Sequence, residues 1–337
     1  MSYVLLTGGA GYIGSHTALA LLRADEKVIS FDNYSNSSAE SLKRVEQLAG
    51  KPIIQIEGDV LDIYALTDVF TLYPIKAVVH FAALKSVGES TQKPLGYYET
   101  NVVGTIKLCQ VMATFGIKNL VFSSSATVYG SAEQIPVPES AHRFATNPYG
   151  QTKLMIEHIL SDLYQSDRSW NIAVLRYFNP VGADESGRIG EDPNGIPNNL
   201  MPFITQVAVG KRDKLSVFGA DYDTPDGTGV RDFIHVFDLA SGHLAALNYL
   251  DKKAGIDYFN LGTGVGYSVL DIVRSFSEVN GVTVPYVIAP RRLGDIGKCY
   301  ADPTKAQRVL GWRTEKTLED MVRDSWNWQK NNPNGYN

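Results

Sequence analysis

The sequence predicts an α/β fold of the doubly wound kind, a parallel sheet with helices on both faces, followed by a smaller C-terminal α/β domain. Short apolar runs rich in branched residues recur along the chain, and the segments between them have helical periodicity. A parallel sheet with crossover helices produces that alternation. At 337 residues the chain also exceeds the usual span of one domain.

The strand-like runs fall at 3–6, 28–31, 53–57, 77–81, 120–123 and 172–176. Residues 15–22, 95–115 and 149–164 have apolar side chains at helical intervals. The last two can pack on the sheet or across a subunit interface, and periodicity does not choose. Beyond Arg176 the character changes. Residues 179–202 concentrate proline, glycine and asparagine without a period, and their apolar ends, Tyr177-Phe178 and Leu200-Met201, favour an ordered functional loop over disorder. A run at 258–261 is expected to return to the first sheet, and a helix is expected over 318–328. The predicted division is therefore a larger domain of 1–176 with a return segment near 232–262, and a smaller one of 177–231 and 263–337.

A net charge of −5 provides no basic field for a phosphate polymer or an anionic membrane, so neither partner is expected. Cys109 and Cys299 lie far apart without metal-ligand spacing, so no metal and no disulfide framework is expected, and the cytoplasm is the natural compartment. The run 4–6 turns straight into glycines, leaving no room for a secretory leader, and no stretch is long enough to span a bilayer.

The first strand runs into Thr7-Gly8-Gly9-Ala10-Gly11-Tyr12-Ile13-Gly14 and then into a helix. Gly8, Gly11 and Gly14 thus sit at a strand-to-helix turn, where missing side chains let the backbone approach a pyrophosphate at the helix N-terminus. A turn that needs glycine for its dihedrals alone is the plainer alternative. Asp32, at the end of the second run, decides between them. A carboxylate there accepts hydrogen bonds from an adenosine ribose and repels a 2′-phosphate, pointing to a Rossmann-type site for NAD in preference to NADP. Asp59, after the third run, either reaches the adenine or caps the next helix.

Tyr149-Gly150-Gln151-Thr152-Lys153 places a phenol and an ammonium four residues apart on one helix face. Ser123-Ser124-Ser125-Ala126-Thr127 follows the fifth run, at the sheet edge where such folds bind ligands. A tyrosine of ordinary pKa near 10 is a poor base at neutral pH, and lowering it by about three units requires roughly 4 kcal/mol. One cation about 5 Å away contributes roughly 3 kcal/mol at an effective dielectric near 20, so Lys153 and an oxidised nicotinamide ring together suffice. Ser125 or Thr127 then holds the reacting oxygen near Tyr149. Hydride transfer at a hydroxyl-bearing carbon is the chemistry this set supports.

With these segments together the chain resembles the extended short-chain dehydrogenase/reductase family, and within it the UDP-hexose 4-epimerases, along essentially its whole length. The resemblance is carried by the glycine turn continued through Ser15-His16, by His80-Phe81-Ala82-Ala83-Leu84-Lys85, and by the serine run continued through Val128-Tyr129-Gly130. It extends to Leu175-Arg176-Tyr177-Phe178-Asn179-Pro180-Val181-Gly182, Gly195-Ile196-Pro197-Asn198-Asn199-Leu200-Met201-Pro202 and Gly229-Val230-Arg231-Asp232. It implies that Tyr149 removes the 4-hydroxyl proton while C4 passes hydride to NAD. The 4-keto sugar then turns over and takes the hydride back on its other face.

It further implies that Tyr12, Ile13, Asn33, Val60, Phe81, Ala82, Lys85 and Tyr177 join the glycines, Asp32, Asp59, Tyr149 and Lys153 around the cofactor. Lys85, Ser125, Phe178, Asn179, Asn199, Leu200, Ser216, Phe218, Arg231, Arg292, Asp295 and Cys299 would line the UDP-sugar site, the arginines offering planar forks to diphosphate oxygens. A homodimer is implied as well.

Position 299 departs from the pattern: where many enzymes restricted to UDP-glucose and UDP-galactose have a bulky tyrosine, this chain has Cys299. The smaller side chain predicts room for an N-acetyl group, and hence UDP-GlcNAc and UDP-GalNAc as further substrates. The alternative is a small packed residue.

Three rival activities would use parts of the same set. Nucleotide-sugar dehydratases share the tyrosine, the lysine and the cofactor, but elimination needs acidic residues directly after the active-site threonine, where this chain has Val128-Tyr129. A net oxidoreductase would need its cofactor to exchange. A catalytically silent NAD-binding regulator is disfavoured by the intact Tyr149, Lys153 and Ser125.

Overall fold

The computed structural model describes residues 2–252, 255–292 and 295–337. The strands β1 (Tyr3–Thr7), β2 (Val28–Asp32), β3 (Ile54–Glu57), β4 (Ile75–His80), β5 (Asn119–Ser125) and β6 (Asn171–Tyr177) match the six apolar runs. Four short strands follow outside their sheet: β7 (Asn179–Val181), β8 (Leu215–Phe218), β9 (Val230–Arg231) and β10 (Phe233–His235). The strand β11 (Gly255–Leu261) then pairs in parallel with β6 over its full length. The result is a seven-stranded parallel sheet of order β11-β6-β5-β4-β1-β2-β3. Three short strands complete the set, β12 (Tyr267–Ser268), β13 (Tyr286–Ala289) and β14 (Lys298–Cys299).

Successive side chains of a strand face opposite sides, and each side here has its own core. Val4 and Leu6 pack with Leu19, Leu22 and Leu239 on one face, and Leu5 packs with Val78, Leu108 and Ile156 on the other. Both faces are dry, which is why the strands read as continuous apolar runs. The helices on the first face include α1 (Tyr12–Arg23) and α2 (Ala39–Ala49). The second face carries α3 (Ile63–Leu72), and beyond it lie the short helices α4 (Val87–Gln92) and α5 (Pro94–Tyr97).

The single helix expected over 95–115 is in fact α5, a π turn over Tyr98–Val103 and then α6 (Gly104–Thr114). Apolar spacing does not register the extra residue of a π turn, and such turns gather at functional sites. The expected helices at 149–164 and 318–328 appear as α7 (Pro148–Ser166) and, later, α12 (Leu318–Asn331). Between them come α8 (Leu200–Ala208), α9 (Val236–Leu250), α10 (Val269–Asn280) and α11 (Thr304–Leu310). A further apolar core of Ile204, Val217, Phe276 and Met321 joins α8, β8, α10 and α12 away from the large sheet.

The proline-rich stretch between β7 and α8 is ordered. Ile189 is fully buried in the first core, and a Cβ on Gly190 would stand 2.3 Å from Cγ of Trp328, so only glycine passes beneath that ring. Among the described residues no helix is long and apolar enough to cross a membrane.

Candidate active site

The glycine turn between β1 and α1 is built for close approach. Gly8 has φ +72°, and a Cβ there would stand 2.7 Å from the Ala82 amide nitrogen. A Cβ on Gly14 would stand 2.3 Å from the Gly8 carbonyl. Gly11 caps α1 without any side-chain bond, so the first amides of the helix face outward unclaimed, a ready anion site. Asp32 is pinned beside this turn: its carboxylate accepts from the Ala10 amide at 3.0 Å, the Tyr34 amide at 2.9 Å and the Ser37 hydroxyl at 2.8 Å.

Asn33 donates to Asp59 at 2.8 Å. Asp59 accepts from the Leu61 amide, but the helix cap is Asp62, which accepts from the amides of Tyr64 and Ala65. The capping role considered for Asp59 is thereby corrected, because α3 starts at Ile63 and only Asp62 stands one residue before it. Val60 packs against Gly104, where a Cβ would come within 2.8 Å of it. Ile13 lies against the first core. The amides of Phe81 and Ala82 both donate to the Thr7 carbonyl at 2.9 Å, bringing the end of β4 to the glycine turn. The Phe81 ring stacks on His243 at 4.8 Å, and His243 in turn bonds the Tyr177 hydroxyl. A backbone cradle closed to a Cβ at Gly8 and Gly14, with free helix amides and a fixed carboxylate beside it, fits a dinucleotide.

The catalytic candidates converge from β5 and α7. Asn147 caps α7, accepting from the Gly150 amide at 2.9 Å, and Pro148 fills the first turn. Lys153, 3% exposed, donates to the Ser123 carbonyl at 2.7 Å and lies 5.0 Å from the centre of the Phe122 ring. Burial pushes Lys153 down to about 7, and the Glu157 carboxylate opposes that shift. Burial raises the Tyr149 phenol above its ordinary 10, and a hydrogen bond with Ser125 pulls the other way. The chain by itself therefore keeps Tyr149 protonated. Desolvation works against both charges, and at the phenol Ser125 opposes it. Ser125 also accepts from the Thr127 amide at 3.2 Å. The Thr127 hydroxyl is buried with no partner within the chain, so a bound group can claim it.

Tyr129 and Val128, directly after Thr127, are buried at 1% and 0% exposure. The Tyr129 hydroxyl donates to Asn260 at 2.6 Å, deep in the core. No carboxylate follows the threonine, as elimination would require.

On the opposite side of the site, β9 and β14 align Arg231 with Cys299. The Arg231 guanidinium donates to the Val230 carbonyl at 2.9 Å and has no ion pair among the described residues. Cys299 is buried with Phe178, Val128 and Leu154, and burial holds its thiol at about 11, unreactive at neutral pH. The fork of Arg292 is taken by Asp295 at 2.9 Å while its plane stacks 4.8 Å over Phe218. Ser216 lies on β8, paired with β13. Asn179 is exposed at the start of β7, and Leu200 opens α8.

Two residues essential to this geometry carry no local sequence signal. Glu191 accepts from Lys85 at 3.1 Å and from Asn199 at 2.8 Å, joining a residue expected at the cofactor to one expected at the sugar nucleotide. Asn101, in the π turn, accepts from the Leu84 amide at 2.8 Å and donates to the Leu84 carbonyl and to Thr152 at 3.0 Å, tying the Lys85 loop to α7.

Residues 5–325 match the family model described as GDP-mannose 4,6 dehydratase. The UDP-glucose 4-epimerase of Bacillus subtilis (strain 168) is 58% identical over 99% of this chain and 98% of its own. A solved structure of UDP-glucose 4-epimerase from Bifidobacterium longum, in complex with NAD+ and UDP, superposes with a TM-score of 0.97 at 52% identity, covering 99% of this chain and 100% of that one. The UDP-Glc/GlcNAc 4-epimerase of Campylobacter jejuni superposes at 0.86 with 37% identity, covering 98% and 100%.

Proposed function

The chain belongs to the extended short-chain dehydrogenase/reductase family and, within it, to the UDP-glucose 4-epimerases, and from that premise we propose how its own residues invert C4 of a UDP-hexose. It is an isomerase whose cofactor is NAD. The observation that carries the reading is the convergence of Ser125, Tyr149 and Lys153 at the C-terminal end of β5, beside a glycine turn closed to a Cβ at Gly8 and Gly14.

The glycine turn and the free amides of α1 hold the pyrophosphate, and Asp32 receives the adenosine ribose. Bound NAD supplies the hydride acceptor at C4 and the donor on return. Tyr149 takes the proton of the 4-hydroxyl and gives it back after the sugar has turned over, while Ser125 and the unclaimed Thr127 hydroxyl hold the reacting oxygen. Arg231, which has no ion pair among the described residues, and Arg292 face the diphosphate. Lys85 and Asn199, gathered by Glu191, bridge the two ligands.

N-acetylated hexoses belong to the proposed substrate range. The small Cys299 supports this, as does the likeness to an enzyme that takes both plain and N-acetylated UDP-glucose. We further assign the chain to the cytoplasm and to a homodimer built on α5, the π turn that follows it and α7, where Leu95, Val103 and Met155 are exposed at 82%, 40% and 45%.

The test is direct: purified protein is incubated with UDP-galactose and, separately, with UDP-GalNAc, with no NAD added. Epimerisation of both supports the retained-cofactor mechanism and the wider range, whereas reaction of UDP-galactose alone would remove the N-acetyl assignment. A requirement for added NAD with net redox turnover would overturn the epimerase reading.

A further inference from the structure

Three consecutive residues at the end of β5 each meet one of three residues on α7. The Ser123 carbonyl accepts from Lys153 at 2.7 Å, the Ser124 hydroxyl donates to Glu157 at 2.7 Å, and the Ser125 hydroxyl lies close enough to the Tyr149 phenol to lower its pKa. Tyr149, Lys153 and Glu157 are spaced at four-residue intervals, so they drift by only about 80° around the helix and share one side of it. The outer two contacts hold the residues that do the chemistry. The remaining one, Ser124 to Glu157, touches no reacting group.

Glu157 is fully buried. One of its oxygens takes Nε of Arg176 at 2.9 Å together with Ser124, and the other takes the terminal nitrogens of Arg176 at 2.7 Å and of Arg143 at 3.1 Å. Arg176 continues to the Tyr129 hydroxyl at 2.8 Å and to the Glu139 carbonyl at 3.0 Å, and Tyr129 to Asn260 on β11. A single carboxylate thus connects α7 to β5, β6 and, through Tyr129, β11. Its helix neighbours Ile156 and Leu160 lie in a plain apolar core. Buried ion pairs of this kind rarely raise stability over apolar packing, and their best attested use is to fix one geometry among several.

We propose that Glu157 is a positioning residue: by holding Ser124 it sets the distance between the Ser125 hydroxyl and the Tyr149 phenol. The inference rests on the epimerase reading above. A displacement of about 1 Å between reacting groups can cost a hundredfold in rate, so a tie that removes even part of that freedom is felt in turnover.

Ser124→Ala isolates the tie, because Glu157 keeps both arginines and loses only its link to β5. The expected result is a roughly tenfold fall in kcat for UDP-galactose, an unchanged KM and a modest fall in melting temperature from the lost buried hydrogen bond. Glu157→Asp, one methylene too short to reach Ser124, should lower kcat similarly. The double variant should be no slower than the slower single one, since both changes break the same link. A folded Ser124→Ala enzyme with wild-type kcat, or one whose loss lies in KM alone, would overturn the proposal while the epimerase reading stands. A wild-type chain without epimerase turnover would overturn both.

Discussion

Lys153 donates to the Ser123 carbonyl at 2.7 Å from a position that is 3% exposed, which makes it a cation whose charge is under strain. Burial pushes it down to about 7, while Glu157 works to keep the proton on. An ammonium is charged below its pKa, so the field that favours a Tyr149 phenolate is full in mild acid and fades as pH rises through about 7. Lys153→Met should lower kcat by about a hundredfold near pH 6, corresponding to roughly 3 kcal/mol for one cation about 5 Å away. The deficit should shrink above pH 7, where the wild type sheds its own charge. Paired pH–rate profiles test this, and a ratio independent of pH would mean that the charge of Lys153 is not what it contributes.

Thr127 offers a cleaner separation of activity from stability. Its hydroxyl is buried without a partner in the chain, and a buried polar group left unpaired costs about 1–3 kcal/mol. Thr127→Val keeps the shape and removes that group. The variant should melt at or above the wild-type temperature and still turn over UDP-galactose about tenfold more slowly, through loss of a hydrogen bond to the reacting oxygen. Wild-type turnover in Thr127→Val would assign that role to Ser125 alone.

How far these residues could be read in advance depended on the distance over which each acts. The glycine turn, Asp32 and the Tyr149–Lys153 pair were legible because their partners lie within a few residues or within one strand-turn-helix unit. Glu157, Asn101 and Glu191 were not. Glu157 meets Arg176 across a helix-to-strand contact, Asn101 depends on a π turn that apolar spacing does not register, and Glu191 gathers Lys85 from 106 residues away. The dryness around Tyr149 was hidden for a related reason: four-residue spacing reveals that a cation is near but says nothing of how far burial raises the phenol.

Cys299 stands opposite Arg231 in the β9–β14 pair and packs with Phe178, Val128 and Leu154. A tyrosine there cannot sit wholly inside that cluster, so its ring must extend toward the sugar side, where it would exclude a C2 substituent larger than a hydroxyl. Cys299→Tyr should therefore lose UDP-GalNAc turnover by at least about tenfold and keep UDP-galactose turnover, measured as kcat/KM for each substrate. Equal loss of both would identify Cys299 as a packing residue only.

The buried histidines make acid stability a property of the large sheet and its helices. Burial holds His16 and His243 at about 4 and His80 at about 3, against about 6.5 in the unfolded chain. Their folded-state values are depressed, so the stability they contribute is complete above pH 6.5 and is lost as pH falls toward 4, because the unfolded state takes up protons that the folded state refuses. His243→Phe removes one of these groups and preserves an aromatic contact with Phe81, while Tyr177 loses its bond to the imidazole. At neutral pH the variant should lose about 1 kcal/mol from the missing hydrogen bond. Between pH 6 and 4.5 its unfolding free energy should fall less steeply than that of the wild type, by about 1.4 kcal/mol per pH unit for one proton. Denaturant melts across that range decide the matter, and parallel slopes would show that His243 protonates as readily in the folded protein as outside it.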